Sequence, residues 1–125
     1  MTKRILVVED QEDNRRIIRD LLTSAGYELI EAADGEAGVR LAGTERPDLI
    51  LMDIQLPVLD GHEATRRIKS NPELSAIPII VVTSYALSGD DVKAMEAGCD
   101  AYVAKPFSPR QLLATIREFL PQAEG

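Results

Sequence analysis

Four consecutive apolar residues, Leu49, Ile50, Leu51 and Met52, close on a single carboxylate, Asp53. An unbroken apolar run of this kind fits a strand buried on both faces of a parallel sheet. Pro57 and the Asp60-Gly61 pair then turn the chain out into a loop. A carboxylate at the end of a buried central strand costs free energy unless other groups compensate its charge. The rest of the sequence is read for those groups.

The same alternation runs through the chain. Residues 3–8 predict a buried strand, ending at Glu9-Asp10. Ile17, Ile18, Leu21 and Leu22 mark one face of a helix over about 13–24, stopped by Gly26. Residues 27–32 read as a second strand, and Asp34 as the cap of a helix to about Gly43 that turns Ala37 and Leu41 inward. After the central strand, Ala64 and Ile68 define a third helix, broken at Asn71-Pro72. Ile79-Ile80-Val81-Val82 is a fourth strand reaching Thr83, and Ser88 with Asp91 resembles a capping box for a fourth helix ending near Gly98. Residues 101–104 make a fifth strand before Lys105-Pro106. Ser108-Pro109 caps and starts a last helix burying Leu112, Leu113, Ile116, Phe119 and Leu120. Five strands alternating with five helices predict an α/β fold, a doubly wound five-stranded parallel sheet with helices on both faces. One domain over 1–125 is expected, with its core at about 3–120 and a loose tail at 121–125.

Composition narrows the function. A net charge of −7 disfavours nucleic acid, which calls for a basic stripe, and anionic lipid surfaces as well. The sole cysteine, Cys99, admits no intrachain disulfide and reads as a buried structural residue in a reducing compartment. The apolar run Ile5 to Val8 is too short for a signal peptide or a membrane span, so a cytoplasmic protein is expected. No glycine-rich loop follows the first strand, which argues against a dinucleotide fold or a P-loop.

In sheets of this type ligands collect at the carboxyl ends of the strands. Here those ends carry Glu9-Asp10, Asp53, Thr83-Ser84 and Lys105. Taken singly, Lys105 reads equally as a solvated loop lysine and Thr83 as a cap; together at one edge they read as a site. Three converging carboxylates suit a hard divalent cation such as Mg²⁺, whereas zinc would call for His or Cys and calcium for more ligands. A lysine and a hydroxyl add a seat for a tetrahedral anion, the chemistry of phosphoryl transfer with Asp53 as candidate nucleophile.

These positions resemble, in order and spacing, the response-regulator receiver domain of the CheY/DivK type along essentially the whole chain. The matching residues are Glu9-Asp10, Asp53 before the Leu56-Pro57 loop with Asp60-Gly61, Thr83, and Lys105-Pro106. The resemblance implies strand order 2-1-3-4-5, a stand-alone bacterial two-component protein, and a phosphoryl group accepted on Asp53 from a sensor histidine kinase or a histidine phosphotransfer protein. It implies Mg²⁺, or Mn²⁺, on Asp10, Asp53 and the backbone carbonyl of Gln55, with Glu9 acting through a metal-bound water. Glu9 departs from the family's more frequent Asp. Lys105 would pair with Asp53 and then with the phosphoryl group. Thr83 and Tyr102 would form the switch pair, and Gln55 and Tyr85 would tune phosphoryl lifetime.

The implied output is a change in the surface of the fourth helix, fifth strand and fifth helix, read by a downstream protein or by a second copy of the chain in a homodimer. Neither nucleic acid nor membrane is an expected partner, and no free-substrate enzyme activity is expected beyond the chain's own phosphorylation and dephosphorylation. Alternatives are a receiver cut from a larger hybrid kinase, a degenerate receiver that only binds, and a small Mg²⁺-dependent phosphatase of the haloacid-dehalogenase type. The last would want a second Asp where Gln55 stands. His62, at the start of the third helix, reads as an exposed residue with no relay role.

Overall fold

The computed structural model describes residues 2–54, 56–83, 97–104 and 107–120, with Thr83 described by its backbone. Five strands lie in it: β1 (Arg4–Val8), β2 (Glu28–Ala32), β3 (Leu49–Asp53), β4 (Ile79–Thr83) and β5 (Ala101–Ala104). Four helices are described: α1 (Glu12–Ser24), α2 (Gly35–Glu45), α3 (Gly61–Ser70) and α4 (Pro109–Phe119). The fourth predicted helix, from Ser88, falls almost wholly outside the described residues. All pairings are parallel and the sheet order is β2-β1-β3-β4-β5. This is the flavodoxin-like order that the resemblance implied.

Strand alternation sorts the core into two layers. Leu6, Val8, Ile50, Met52, Ile79 and Val81 face α2 and α3, where Ala42, Ala64 and Ile68 meet them. Ile5, Val7, Leu49, Leu51, Ile80 and Val103 face α1 and α4, packing on Ile18, Leu22, Leu112 and Ile116. Every residue of β3 is buried, as a strand covered on both faces requires.

The helix boundaries follow the capping chemistry. Asp34 accepts from the Ala37 N–H at 2.7 Å, Asp60 from Glu63 at 2.9 Å and Ser108 from Gln111 at 3.0 Å. Gly26 ends α1 with φ +94°, a left-handed position that suits glycine. Ala37 and Leu41 of α2 pack against the core as expected. Gly38 and Ala42 are buried while Ala37 and Leu41 are half-buried, because Gly38 brings the helix against Val8. On α1 the buried pair is Ile18 and Leu22, and Ile17 is exposed. His62 corrects the expectation of an exposed residue: it is half-buried, with both ring nitrogens shielded from solvent.

Candidate functional site

Two of the acids are placed by strand parity. Val8 pairs with Met52 in the β1–β3 ladder, so Glu9 and Asp53 are the next residues along two neighbouring strands. Glu9 shares the parity of Ile5 and Val7, and Asp53 that of Leu49 and Leu51, so both side chains leave the same face of the sheet. Neighbouring strands lie about 4.8 Å apart. Accordingly Glu9, Asp10 and Asp53 each offer a carboxylate oxygen within 4.8 Å of the others'. Among the described residues this is the one group of three or more His, Cys, Asp or Glu side chains so placed.

The cluster sits at the point where strand order reverses, since β1 lies between β2 and β3. A crevice opens at such a point because successive crossovers leave in opposite directions. Its floor is apolar, formed by Val7, Val8, Ile18, Leu51 and Val82 beside Glu9 and Asp53. Glu9 is 3% exposed and Asp53 7%, whereas Asp10 is exposed. The site thus has two carboxylates set into the sheet end and one at the rim.

Backbone bonds fix the Glu9 turn. Its N–H donates to the Ala32 carbonyl at 3.0 Å, continuing the β1–β2 ladder. Its Oε2 accepts from the Gln11 N–H at 3.2 Å, at the start of α1. A carboxylate at a helix N-terminus interacts favourably with the helix dipole and the open N–H groups there. On the other side, two backbone bonds draw the start of α3 back to the end of β3. The Gly61 N–H donates to the Ile54 carbonyl at 2.9 Å, and the Leu59 N–H to the Pro57 carbonyl at 2.7 Å.

The donor set is oxygen throughout, from three carboxylates at one point, which fits a hard divalent cation such as Mg²⁺ and not a soft metal. Thr83 ends β4, with its backbone opposite Ala104 of β5. The chain therefore brings the residue preceding Lys105 to the same sheet edge. Gln55, Tyr85 and Lys105 lie outside the described residues. Tyr102 lies on β5 and is 41% exposed. Cys99 is buried, and burial first, then the Asp100 charge, pushes its thiol up to about 11. An inert structural thiol matches the sequence expectation.

Sequence reasoning missed one participant in the acid turn: Arg15 of α1 donates from Nη1 to the Glu9 carbonyl at 2.8 Å. Its i+6 separation from Glu9 across a turn carries no periodic signal, so only the folded geometry brings the two together.

Comparison with known proteins gives a consistent picture. The family model for the response regulator receiver domain matches residues 5–117. The polar-differentiation response regulator DivK of Brucella ovis is 44% identical over 123 residues, which span 98% of this chain and all of that protein. The receiver domain of a sensor histidine kinase from Pseudomonas aeruginosa PAO1, solved with a magnesium ion coordinated in its active-site cleft, superposes with a TM-score of 0.91 at 41% identity. That match covers 96% of this chain and 98% of the other. Chemotaxis response regulator CheY4 of Vibrio cholerae is similar at a TM-score of 0.89 and 28% identity, covering 95% of this chain and 99% of the other. The matches support the receiver reading and give none to the haloacid-dehalogenase alternative.

Proposed function

The chain belongs to the response regulator receiver domain family, and on that premise we propose that Asp53 accepts a phosphoryl group from a phosphohistidine donor. Members of this family are signalling proteins rather than enzymes acting on a free substrate. The observation that supports the assignment best is the place of Asp53: 7% exposed at the end of the central strand, with oxygens of Glu9 and Asp10 within 4.8 Å.

In the transfer, an Asp53 carboxylate oxygen attacks phosphorus and the P–N bond to the donor imidazole breaks. The electron pair of that bond leaves on the nitrogen, and the imidazole, protonated on its other nitrogen, departs neutral. Later attack by water on the acyl phosphate returns the carboxylate and inorganic phosphate. Both steps are the chain's own reactions, and it turns over no separate substrate. Asp10, Asp53 and the Gln55 backbone carbonyl would hold Mg²⁺ or Mn²⁺, with Glu9 acting through a bound water. A cation held there supplies positive charge opposite the phosphoryl oxygens.

The remaining roles are proposals on the same footing. Lys105 serves as the fixed positive charge beside Asp53 and then beside the phosphoryl group. Thr83 turns its hydroxyl to a phosphoryl oxygen, and the ring of Tyr102 leaves its exposed position for the space vacated. This changes the face formed by the predicted fourth helix, β5 and α4, which a downstream protein or a second copy of the chain would read. Gln55 and Tyr85 flank the phosphate and set its lifetime; if Tyr85→Ala leaves the decay rate unchanged, shielding by that ring is wrong. The whole chain acts as one receiver. No described helix is long and apolar enough to cross a membrane, and a cytoplasmic site beside a sensor histidine kinase or phosphotransfer protein is the proposed setting.

The test is intact-mass measurement after incubation with acetyl phosphate and Mg²⁺. Wild type should gain one phosphoryl group and Asp53→Asn none. Equal uptake by the variant would remove Asp53 from its role.

A further inference from the structure

Glu9 is held from three sides. β2 takes its N–H through Ala32, the start of α1 takes its carboxylate through the Gln11 N–H, and Arg15 takes its carbonyl. The third hold is made by a side chain, and that side chain is itself held. Arg15 Nη2 lies 2.5 Å from Glu12 Oε1, and Arg15 Nε lies 3.4 Å from Glu31 Oε1. Glu31 is in turn gripped by Arg19, with Nε at 2.7 Å and Nη2 at 2.8 Å from its two oxygens.

Parity explains the geometry. Val7 pairs with Glu31, so Glu31 shares the α1-facing side of the sheet and meets the arginines of α1 from β2. A guanidinium is a rigid planar fork, so one arm on Glu9 with the other edges on Glu12 and Glu31 leaves little freedom to swing.

The carbonyl that Arg15 binds belongs to the Glu9–Asp10 peptide. Rotation of that peptide would swing the Asp10 carboxylate relative to Asp53. We infer that Arg15 is a positioning residue for the acid cluster, fixing the Glu9–Asp10 peptide so that the three carboxylates converge on a divalent cation. The inference rests on reading Glu9, Asp10 and Asp53 as a cation site, and it adds a link from that site to the β2 edge through Glu31.

Charge and position make opposite demands, so the sign of the effect decides. Removing the Arg15 charge makes the site more negative, and by Coulomb attraction alone would tighten cation binding. Loss of positioning weakens it. Groups that orient metal ligands from outside the coordination sphere change metal affinity by about tenfold or more when removed.

The experiment is Mn²⁺ binding to the metal-free full chain, followed by electron paramagnetic resonance, with urea unfolding of each variant alongside. Arg15→Met is expected to bind Mn²⁺ about tenfold more weakly while remaining folded. Arg15→Lys, which keeps the charge but lacks the fork, should recover only part of the loss. Glu31→Gln should weaken binding less, and should add nothing in the Arg15→Met background. Equal or tighter binding by Arg15→Met overturns the role of Arg15. If Arg15→Met does not fold, Arg15→Lys decides, because it keeps the charge and loses only the fork: weaker binding supports the inference and unchanged affinity overturns it. A wild type that binds no Mn²⁺, or whose binding survives Asp10→Asn, overturns the cation-site reading and this inference with it.

Discussion

The carbonyl oxygen of Asp53 fills the space a side chain on Gly61 would need: a Cβ there would lie 2.1 Å from it. The same glycine donates its N–H to the Ile54 carbonyl at 2.9 Å, drawing the start of α3 under the end of β3. Gly61→Ala therefore forces backbone against backbone, which side-chain rotation cannot relieve. A loss of about 3 kcal/mol is expected in urea unfolding. Phosphorylation by acetyl phosphate should slow in the folded fraction, because the displaced atoms belong to Asp53 itself. A variant of wild-type stability would show that the loop yields freely.

Val58 occupies an unfavourable conformation in the same loop. Its φ is 69°, and the Leu59 N–H bonds the Pro57 carbonyl across it at 2.7 Å, closing a three-residue turn. A β-branched residue there costs about 1–3 kcal/mol, and Val58 is 76% exposed, so its side chain recovers little by burial. Val58→Gly gives up about 0.5–1 kcal/mol of backbone entropy and relieves the strain. A net gain of about 1 kcal/mol follows from these two figures, to be read from the urea midpoint. A lower midpoint would mean the turn is not strained in valine's hands.

These two glycine and valine positions mark the limit of what the chain discloses as text. The strands, the double-sided burial of the central ones and the capping residues Asp34 and Ser108 were legible because each depends on neighbours within about four positions, whereas Asp60, which reads as a loop residue, caps α3 only in the folded chain. Glu9, Asp10 and Asp53 were legible because strand ends carry ligands in this class of sheet. Arg15 was not, since its partners Glu9, Glu12 and Glu31 are gathered by the docking of α1 on β1 and β2. Nor was the exposure of Ile17, because four apolar residues on α1 span more arc than the sheet covers and Ile18 and Leu22 take the buried places. The half-burial of His62 likewise depends on how α3 docks rather than on its own periodicity.

The Glu31 pair gives a pH dependence of defined sign. Hydrogen bonding from Arg19, then the charges of Arg19 and Arg15, hold the Glu31 carboxyl below its ordinary range against the opposing effect of partial burial. A carboxyl lowered in the folded state contributes stability that is complete above its unfolded value, about 4.3. That contribution is lost as pH falls through the folded value. The stability difference between wild type and Glu31→Gln should therefore stay constant from neutral pH to about 5 and shrink below about 4. Urea midpoints of both proteins across that range check it. A difference that persists unchanged at the lowest pH would detach Glu31's contribution from its charge.

Lys69 secures the opposite end of the sheet. Its Nζ lies 2.8 Å from Asp100 Oδ2 and donates to the carbonyls of Ser75 at 3.0 Å and Ile77 at 2.8 Å. Asp100 also accepts from the Ile79 N–H at 2.8 Å, so one lysine ties α3, the entry to β4 and the entry to β5. Lys69→Met keeps the stem but leaves two carbonyls and a half-screened carboxylate without the cation. A loss of about 2 kcal/mol is expected, smaller than for a fully buried pair because Asp100 keeps access to water. Asp100→Asn in the Lys69→Met background should recover part of it, since the stranded charge is then gone. This junction lies at the amino ends of the strands, away from Asp53. Phosphoryl uptake from acetyl phosphate, measured well below the unfolding temperature, should therefore match wild type. A slowed uptake at full foldedness would show that the two ends of the sheet are coupled.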